Sequence, residues 1–304
     1  MALRYSFGDM IEKTLRYLQP VSEMAITLES AALPGATTLT VDGSSPFLSA
    51  IRPGTILGLD LEVFYVTNIS SATLTVVPGF RGSTEAAHAA GTLIWINPRF
   101  TRFDIGQAIN DELSALSSPD QGLGQILTTD ITYIPAFQGY ALPANFHNTS
   151  SKVMEISFAI APPVRTFPLI RRNEYRVVRN QTYTSVFPNG AGIIIYRRAW
   201  PGFPIHVQYL SPFNNLTQLS DDATTVGGMP DHQQDIPPMG AMLRLATDRE
   251  IGRNSPVAQP DPRKAPEIPP GAMANATQRL EIRYERRCNE ERNRLQRAFP
   301  NAER

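Results

Sequence analysis

TILGLDLEVFYVTNIS, Thr55 to Ser70, is the stretch on which the reading of the fold turns. Extended backbone would place Leu61, Val63, Tyr65 and Thr67 on one face and Glu62, Phe64, Val66 and Asn68 on the other. Both faces carry bulky groups. The sheet is therefore expected either to be covered on both sides or to curl into a small barrel. The flanking runs TTLTVDG, ATLTVVPGF and TLIWINPRF, punctuated by Gly, Pro, Asn and Ser, supply further short strands.

Two helical patterns frame these strands. Phe7, Met10, Ile11, Leu15 and Leu18 recur at three- and four-residue steps, which predicts a helix over residues 7–19 with Ser6 as N-cap before Asp9 and Pro20 as its stop. So short a helix is unstable alone and must dock on its own β-domain or on another subunit. In RFDIGQAINDELSAL, Ile105, Ala108, Ile109, Leu113 and Leu116 predict a second helix, with Asp104 as cap. The two helices and the strands between them form a head domain over residues 1–125.

The loop GFRGSTEAAHAAGT, Gly79 to Thr92, joins two of the strands. Gly79 and Gly82 permit positive backbone angles at a tight turn, and Gly91 lets the chain re-enter a strand. STEAAHAAG reads as a helical turn capped by Ser83 or Thr84, and Arg81 is placed to pair with Glu62 or Asp60. Arg81, Glu85 and His88 accordingly read as turn and surface residues. A phosphate loop would need a lysine after the glycines or a βαβ setting, and neither is present.

This region resembles a module of tailed-bacteriophage virion proteins. In that module a G-x-x-L-x-ψ-D-x-E-x-x-x-V hairpin, ψ being apolar, precedes T-V-x-R-G-x-x-G-T-x-A-x-x-H-x-x-G-T and a strand ending in Asn-Pro. The matching residues are Gly54, Leu57, Asp60, Glu62, Val66, Arg81, Gly82, Thr84, Ala87, His88, Gly91, Thr92, Asn97 and Pro98. The chain departs from the pattern by a Val-Pro-Gly-Phe insertion before Arg81 and by Ser83-Thr84 in place of a longer Gly-Thr turn. The resemblance covers about 70 residues well and about 120 in layout. It implies a structural protein of the virion, with no enzymatic activity and no cofactor, and leaves capsid, connector and tail positions open.

Residues 126–252 read as a β-sandwich, from DITYIPAF, KVMEISFAI, EYRVVRN, GAGIIIYRRAW and FPIHVQYLSPF, with GAMLRLATDRE turning helical. Ile156, Phe158 and Ile160 should face inward, as should Ile205, Val207 and Tyr209, leaving His206 and Gln208 outside. Trp200 and Tyr209, near Phe203, Arg197 and Arg198, are candidate glycan-contact aromatics; their alternative role is to anchor a strand end or a subunit contact. Asp221, Asp222, Asp231, His232 and Asp235 form the best candidate for an acid pair or cation loop, but they lack the D-x-[DN]-x-[DN]-G spacing, so no metal is assigned. The other histidines stand outside metal-binding spacings, and no G-x-S-x-G elbow occurs.

Residues 253–304 begin with RNSPVAQPDPRKAPEIPPG, whose prolines favour an extended arm. A helix follows, capped by Asn275 or Thr277 and stopped by Pro300, with Leu280, Tyr284, Cys288, Leu295 and Phe299 as a thin apolar stripe. Eight arginines from Arg279 to Arg304 oppose five glutamates, and Arg286/Glu290, Arg287/Glu291 and Glu290/Arg294 are spaced to pair. The segment is either a solvated face or an assembly arm, with Leu280, Tyr284, Arg287, Leu295 and Phe299 as contacts to a partner's acidic groove or facing DNA. As an arm, its stripe buries too little to order without a partner, and cutting it off should leave the β-domains' melting nearly unchanged.

Composition bounds the rest. With 304 residues and 42% apolar side chains the chain can bury a core, and 28 basic against 28 acidic residues leave no global field for DNA or an anionic membrane. The single cysteine, Cys288, excludes an internal disulfide framework. MALRYSFGDMIEKTLRYLQP lacks the apolar core of a signal peptide, and no run reaches membrane-spanning length. The expected fold is mainly β with peripheral helices: an N-terminal helix and barrel-like module, a β-sandwich, an extended arm and a C-terminal helix. The expected function is a head-to-tail connector, a homo-oligomeric ring between portal and tail around the DNA channel, in the host cytoplasm during assembly and then in the virion. Its expected partners are itself, portal and tail or neck proteins, and passing genomic DNA without sequence specificity, with no membrane. The alternatives are a glycan-binding tail or baseplate component and a capsule depolymerase.

Overall fold

The structure is a computed structural model, and it describes residues 5–18, 23–137, 139–158, 169–183, 185–196, 204–253, 272–300 and 302. The chain is mainly β with peripheral helices, and it divides into two compact units. The first comprises residues 1–112, 216–226 and 234–281; the second comprises 113–215, 227–233 and 282–304. This division differs from boundaries at 125 and 252. The loop after the sandwich returns residues 216–226 to the first unit, and the helix after it also belongs there.

In the first unit, helix α1 (Phe7–Leu18) opens with a reciprocal cap. The backbone N–H of Asp9 donates to Ser6 Oγ at 3.1 Å, and that of Ser6 donates to Asp9 Oδ2 at 3.0 Å. Phe7, Met10, Ile11 and Leu15 form its buried face. Pro20, its expected stop, lies outside the described residues.

Six strands follow: β1 (Ala25–Thr27), β2 (Thr38–Thr40), β3 (Ile56–Leu59), β4 (Glu62–Ser70), β5 (Thr73–Val77) and β6 (Leu93–Ile96). Their order is β1-β6-β3-β4-β5-β2, and every pairing is antiparallel. The two edges also meet. Leu28 bridges Val41, with Glu29 N–H donating to Thr40 O at 2.8 Å and Asp42 N–H to Thr27 O at 3.0 Å. The sheet thus curls until it closes, which satisfies the edge groups that an open sheet would expose. Ile26, Leu39, Leu57, Phe64, Leu74 and Ile94 fill its interior. Val63 is also fully buried although it has the opposite parity, so the strand is covered on both faces.

Helix α2 (Arg102–Leu116) is capped by Thr101 rather than Asp104. Asp104 N–H donates to Thr101 Oγ1 at 3.0 Å, and Asp104 returns the bond to Thr101 N–H from the third helical position. Gly106 of this helix lies where an added Cβ would stand 3.0 Å from the Phe7 ring and 3.6 Å from Leu61. A larger residue there would hold α1 away from α2.

In the second unit, β7 (Gln125–Thr132), β12 (Pro204–Ser211) and β9 (Lys152–Phe158) form one antiparallel sheet in that order. Strands β10 (Tyr175–Val178), β11 (Gly192–Ile195) and β8 (Gly139–Ala141) form another. Both sheets contribute to one core, with Ile156, Phe158, Ile205, Val207 and Tyr209 from the first meeting Ile193 from the second. Ile160, expected to face inward, lies outside the described residues. Neither β8 nor β1 was expected, because a run of three residues carries too little pattern to read. GAMLRLATDRE lies wholly within helix α3 (Ile236–Arg253), which packs on α1.

Helix α4 (Ala272–Ala298) begins before the expected caps, so Asn275 and Thr277 lie within it. The proline-rich segment 254–271 lies outside the described residues. No described helix is long and apolar enough to cross a membrane.

Candidate functional site

Asp60, Glu62 and His88 meet at one end of the closed sheet. Asp60 occupies the tight turn between β3 and β4 with φ at 52°, and Glu62 begins β4. His88 arrives from the loop after β5, held by paired backbone bonds with Ala32 at 2.9 Å in both directions. Its Nδ1 lies 3.0 Å from Asp60 Oδ2, and its Nε2 lies 2.9 Å from Glu62 Oε2. The Phe64 ring stands edge-on to it at 5.9 Å.

Glu62 is the hub. Its Oε1 accepts from Gly79 N–H at 3.2 Å, and its Oε2 accepts from Ala86 N–H at 3.0 Å as well as facing His88. Its side chain is 1% exposed, as is that of His88, whereas Asp60 is 42% exposed. Ser83 Oγ accepts from Val63 N–H at 2.9 Å, fastening the same loop to β4. The 83–87 stretch is therefore pinned in irregular form and is not the helical turn expected from STEAAHAAG.

Burial opposes a charge on His88, but the two facing carboxylates outweigh it, and the imidazole pKa is raised above its ordinary 6.5. A histidine that keeps its proton and has both nitrogens engaged is a poor general base. Its chemistry suits a latch. The trio borders a cleft of about 880 Å³, which Phe7, Gln107 and Asn110 also line.

Two expectations for this loop are corrected. His88 is buried, not a surface residue. Arg81 pairs with neither Glu62 nor Asp60; its Nη1 lies 3.7 Å from Asp104 Oδ2, because Glu62 points inward and Arg81 outward from a left-handed backbone at φ 59°. Gly79, Gly82 and Gly91 do take positive φ, at 60°, 80° and 84°.

No family model matches the chain, and no curated protein matches it either. Its site is read from its own geometry.

The remaining candidates separate. Tyr209 is 2% exposed and packs 5.7 Å from the Phe146 ring, so alternation in β12 turns it into the core and away from any glycan. Trp200, Phe203, Arg197 and Arg198 lie outside the described residues. The Asp221 carboxylate accepts from the backbone of Thr217 and Gln218 at 2.8 Å each, and Asp222 accepts from Thr224 and Thr225 at 2.7 and 2.9 Å. Burial alone would raise the Asp221 pKa, but the bonds from Gln218 and Thr217 lower it. These carboxylates cap turns. Among the described residues no group of three or more His, Cys, Asp or Glu is arranged to hold a metal ion.

The apolar stripe of α4 does not wait for a partner. Cys288 and Glu291 are buried, and Leu280, Tyr284, Arg287, Leu295 and Phe299 are half-buried. Within the second unit, Glu291 pairs with Arg287 Nη1 at 2.6 Å and with His232 Nε2 at 3.1 Å, while Arg292 donates to Gln121 O at 2.9 Å. A buried carboxylate held by Arg287 and by the His232 ring supplies the anchoring that the thin stripe lacks. Nothing in the sequence marked Glu291 apart from the other helix glutamates; its burial is a tertiary property.

Proposed function

We propose that the chain is a structural component of a tailed-phage virion, a head-to-tail connector whose subunits form a ring between portal and tail around the DNA channel. The observation that carries this reading is the convergence of the motif's polar residues. Asp60, Glu62 and His88, drawn from separate parts of the phage-like pattern, meet in one buried latch that holds the module's loop. A pattern conserving shape needs such a latch; one serving catalysis would leave a proton acceptor open to substrate.

The test is assembly. Purified full-length chain is mixed with portal rings and viewed by negative-stain microscopy, with mass measured by light scattering. Rings that cap the portal are the expected result. A chain that remains monomeric and ignores portals overturns the reading.

A tail or baseplate role retains one supporting observation, the exposed aromatic side chains of Tyr183 and Tyr196 in the second unit. Binding to a panel of host surface glycans without turnover, and no portal capture, would favour it. Asp221 and Asp222 are engaged by backbone donors, which weighs against a depolymerase built on them.

A further inference from the structure

We infer that the outward face of α4 binds the phosphate backbone of double-stranded DNA. This deepens the connector reading and rests on it only for the source of the DNA.

The docked half of the helix divides its cations into two sets. Arg287 and Arg292 face the second unit and are engaged there. Arg283, Arg286, Arg294 and Arg297 are exposed. At about 100° per residue these four fall within roughly 80° of one another, along about 21 Å of helix. Glu290 alone is acidic within that arc, and it is held by Arg286 at 3.2 Å and by Arg287 at 3.8 Å. The expected pair between Glu290 and Arg294 does not form. The side chains of Arg283, Arg294 and Arg297 make no hydrogen bond or ion pair among the described residues.

Four arginines against one glutamate concentrate positive charge in a chain whose formal net charge is +0. The stripe holds no apolar side chain, whereas a protein interface needs a desolvated apolar centre. Phosphates need only the planar donors that guanidinium groups offer. Duplex DNA presents about a dozen phosphate charges over about 21 Å of its axis, enough to engage every arginine in the stripe. Such contacts position without reading sequence.

The test uses the full chain and a labelled 30-base-pair duplex, with anisotropy read from 50 to 200 mM salt. If all four arginines meet phosphate, log affinity falls against log salt with a slope of about −3.6. The triple variant Arg283→Ala, Arg294→Ala, Arg297→Ala should lose about 2.7 of that slope, and Glu290→Gln should tighten binding. An unchanged slope in the triple variant overturns the inference, as does equal binding to polyglutamate, which would mark an acidic protein as the partner. Should the triple variant fail to fold, Glu290→Gln decides alone: failure to tighten overturns it. DNA binding without portal-capping rings would sink the connector reading only, and rings without DNA binding would sink this inference only.

Discussion

Glu62 accepts from two backbone N–H groups and from His88 while almost wholly shielded from water. Glu62→Gln turns an amide N–H toward one of those donors and leaves His88 without its buried counter-charge. We expect a loss of about 3 kcal/mol in the first unit, near the lower end for breaking a buried pair. Asp60→Asn should cost less than about 1 kcal/mol, since water already screens Asp60. Chemical denaturation of the three proteins checks the order. His88 holds its proton more tightly folded than unfolded, so its contribution is complete below pH 6.5 and fades as pH rises through the folded value. Melting of wild type and His88→Gln between pH 5.5 and 9 should differ in slope, the wild type losing more stability toward high pH; parallel slopes would contradict the latch. Arg81 gives the opposite case. Its left-handed backbone strains any residue but glycine, and its ion pair is half-exposed, so Arg81→Gly should be near neutral while Arg81→Ala costs up to about 1 kcal/mol.

At the scale of elements, docking of α4 depends on Glu291 more than on its apolar stripe. Glu291→Ala leaves Arg287 and His232 facing the second unit without their carboxylate. Hydrogen exchange should then accelerate across residues 282–298, while the long pairing of β7 with β12 keeps its protection. Equal protection of α4 in mutant and wild type would show that packing of Cys288 and Leu295 suffices. Most of the strands and α1 were legible because period-two and period-3.6 patterns are local, but β1 (Ala25–Thr27) fell in none of the expected runs. β8 and the extended course of 83–87 were not, since the first is too brief to show a period and the second is set by Ser83 and Glu62 bonding to distant backbone.

At the scale of the molecule, residues 282–304 belong to the second unit, so truncation after Gly252 removes part of a folded body. We expect the truncated chain to melt several degrees lower in its second unit, a loss of about 1–3 kcal/mol at this size. Calorimetry should resolve it from the transition of the first unit, which itself loses residues 253–281. This replaces the expectation that melting stays nearly unchanged, which assumed that the helix had no intrachain anchor. Melting indistinguishable from that of the full chain would restore it.

The sequence by itself determined that the chain is mainly β with helices at its margins, that both faces of β4 carry bulky groups, and which residues of β9 and β12 turn inward. Those properties follow from alternation, turn chemistry and residue spacing, all encoded over a few positions. Only the tertiary structure decided that His88 is buried between two carboxylates, that the sheet closes through Leu28 and Val41, and that Glu291 anchors α4. The two carboxylate sites depend on groups tens of residues apart meeting in a medium of low polarity, where an unpaired charge costs several kcal/mol, and the closure depends on two strand edges that meet only once the sheet has curled. No local pattern records which partner will be there.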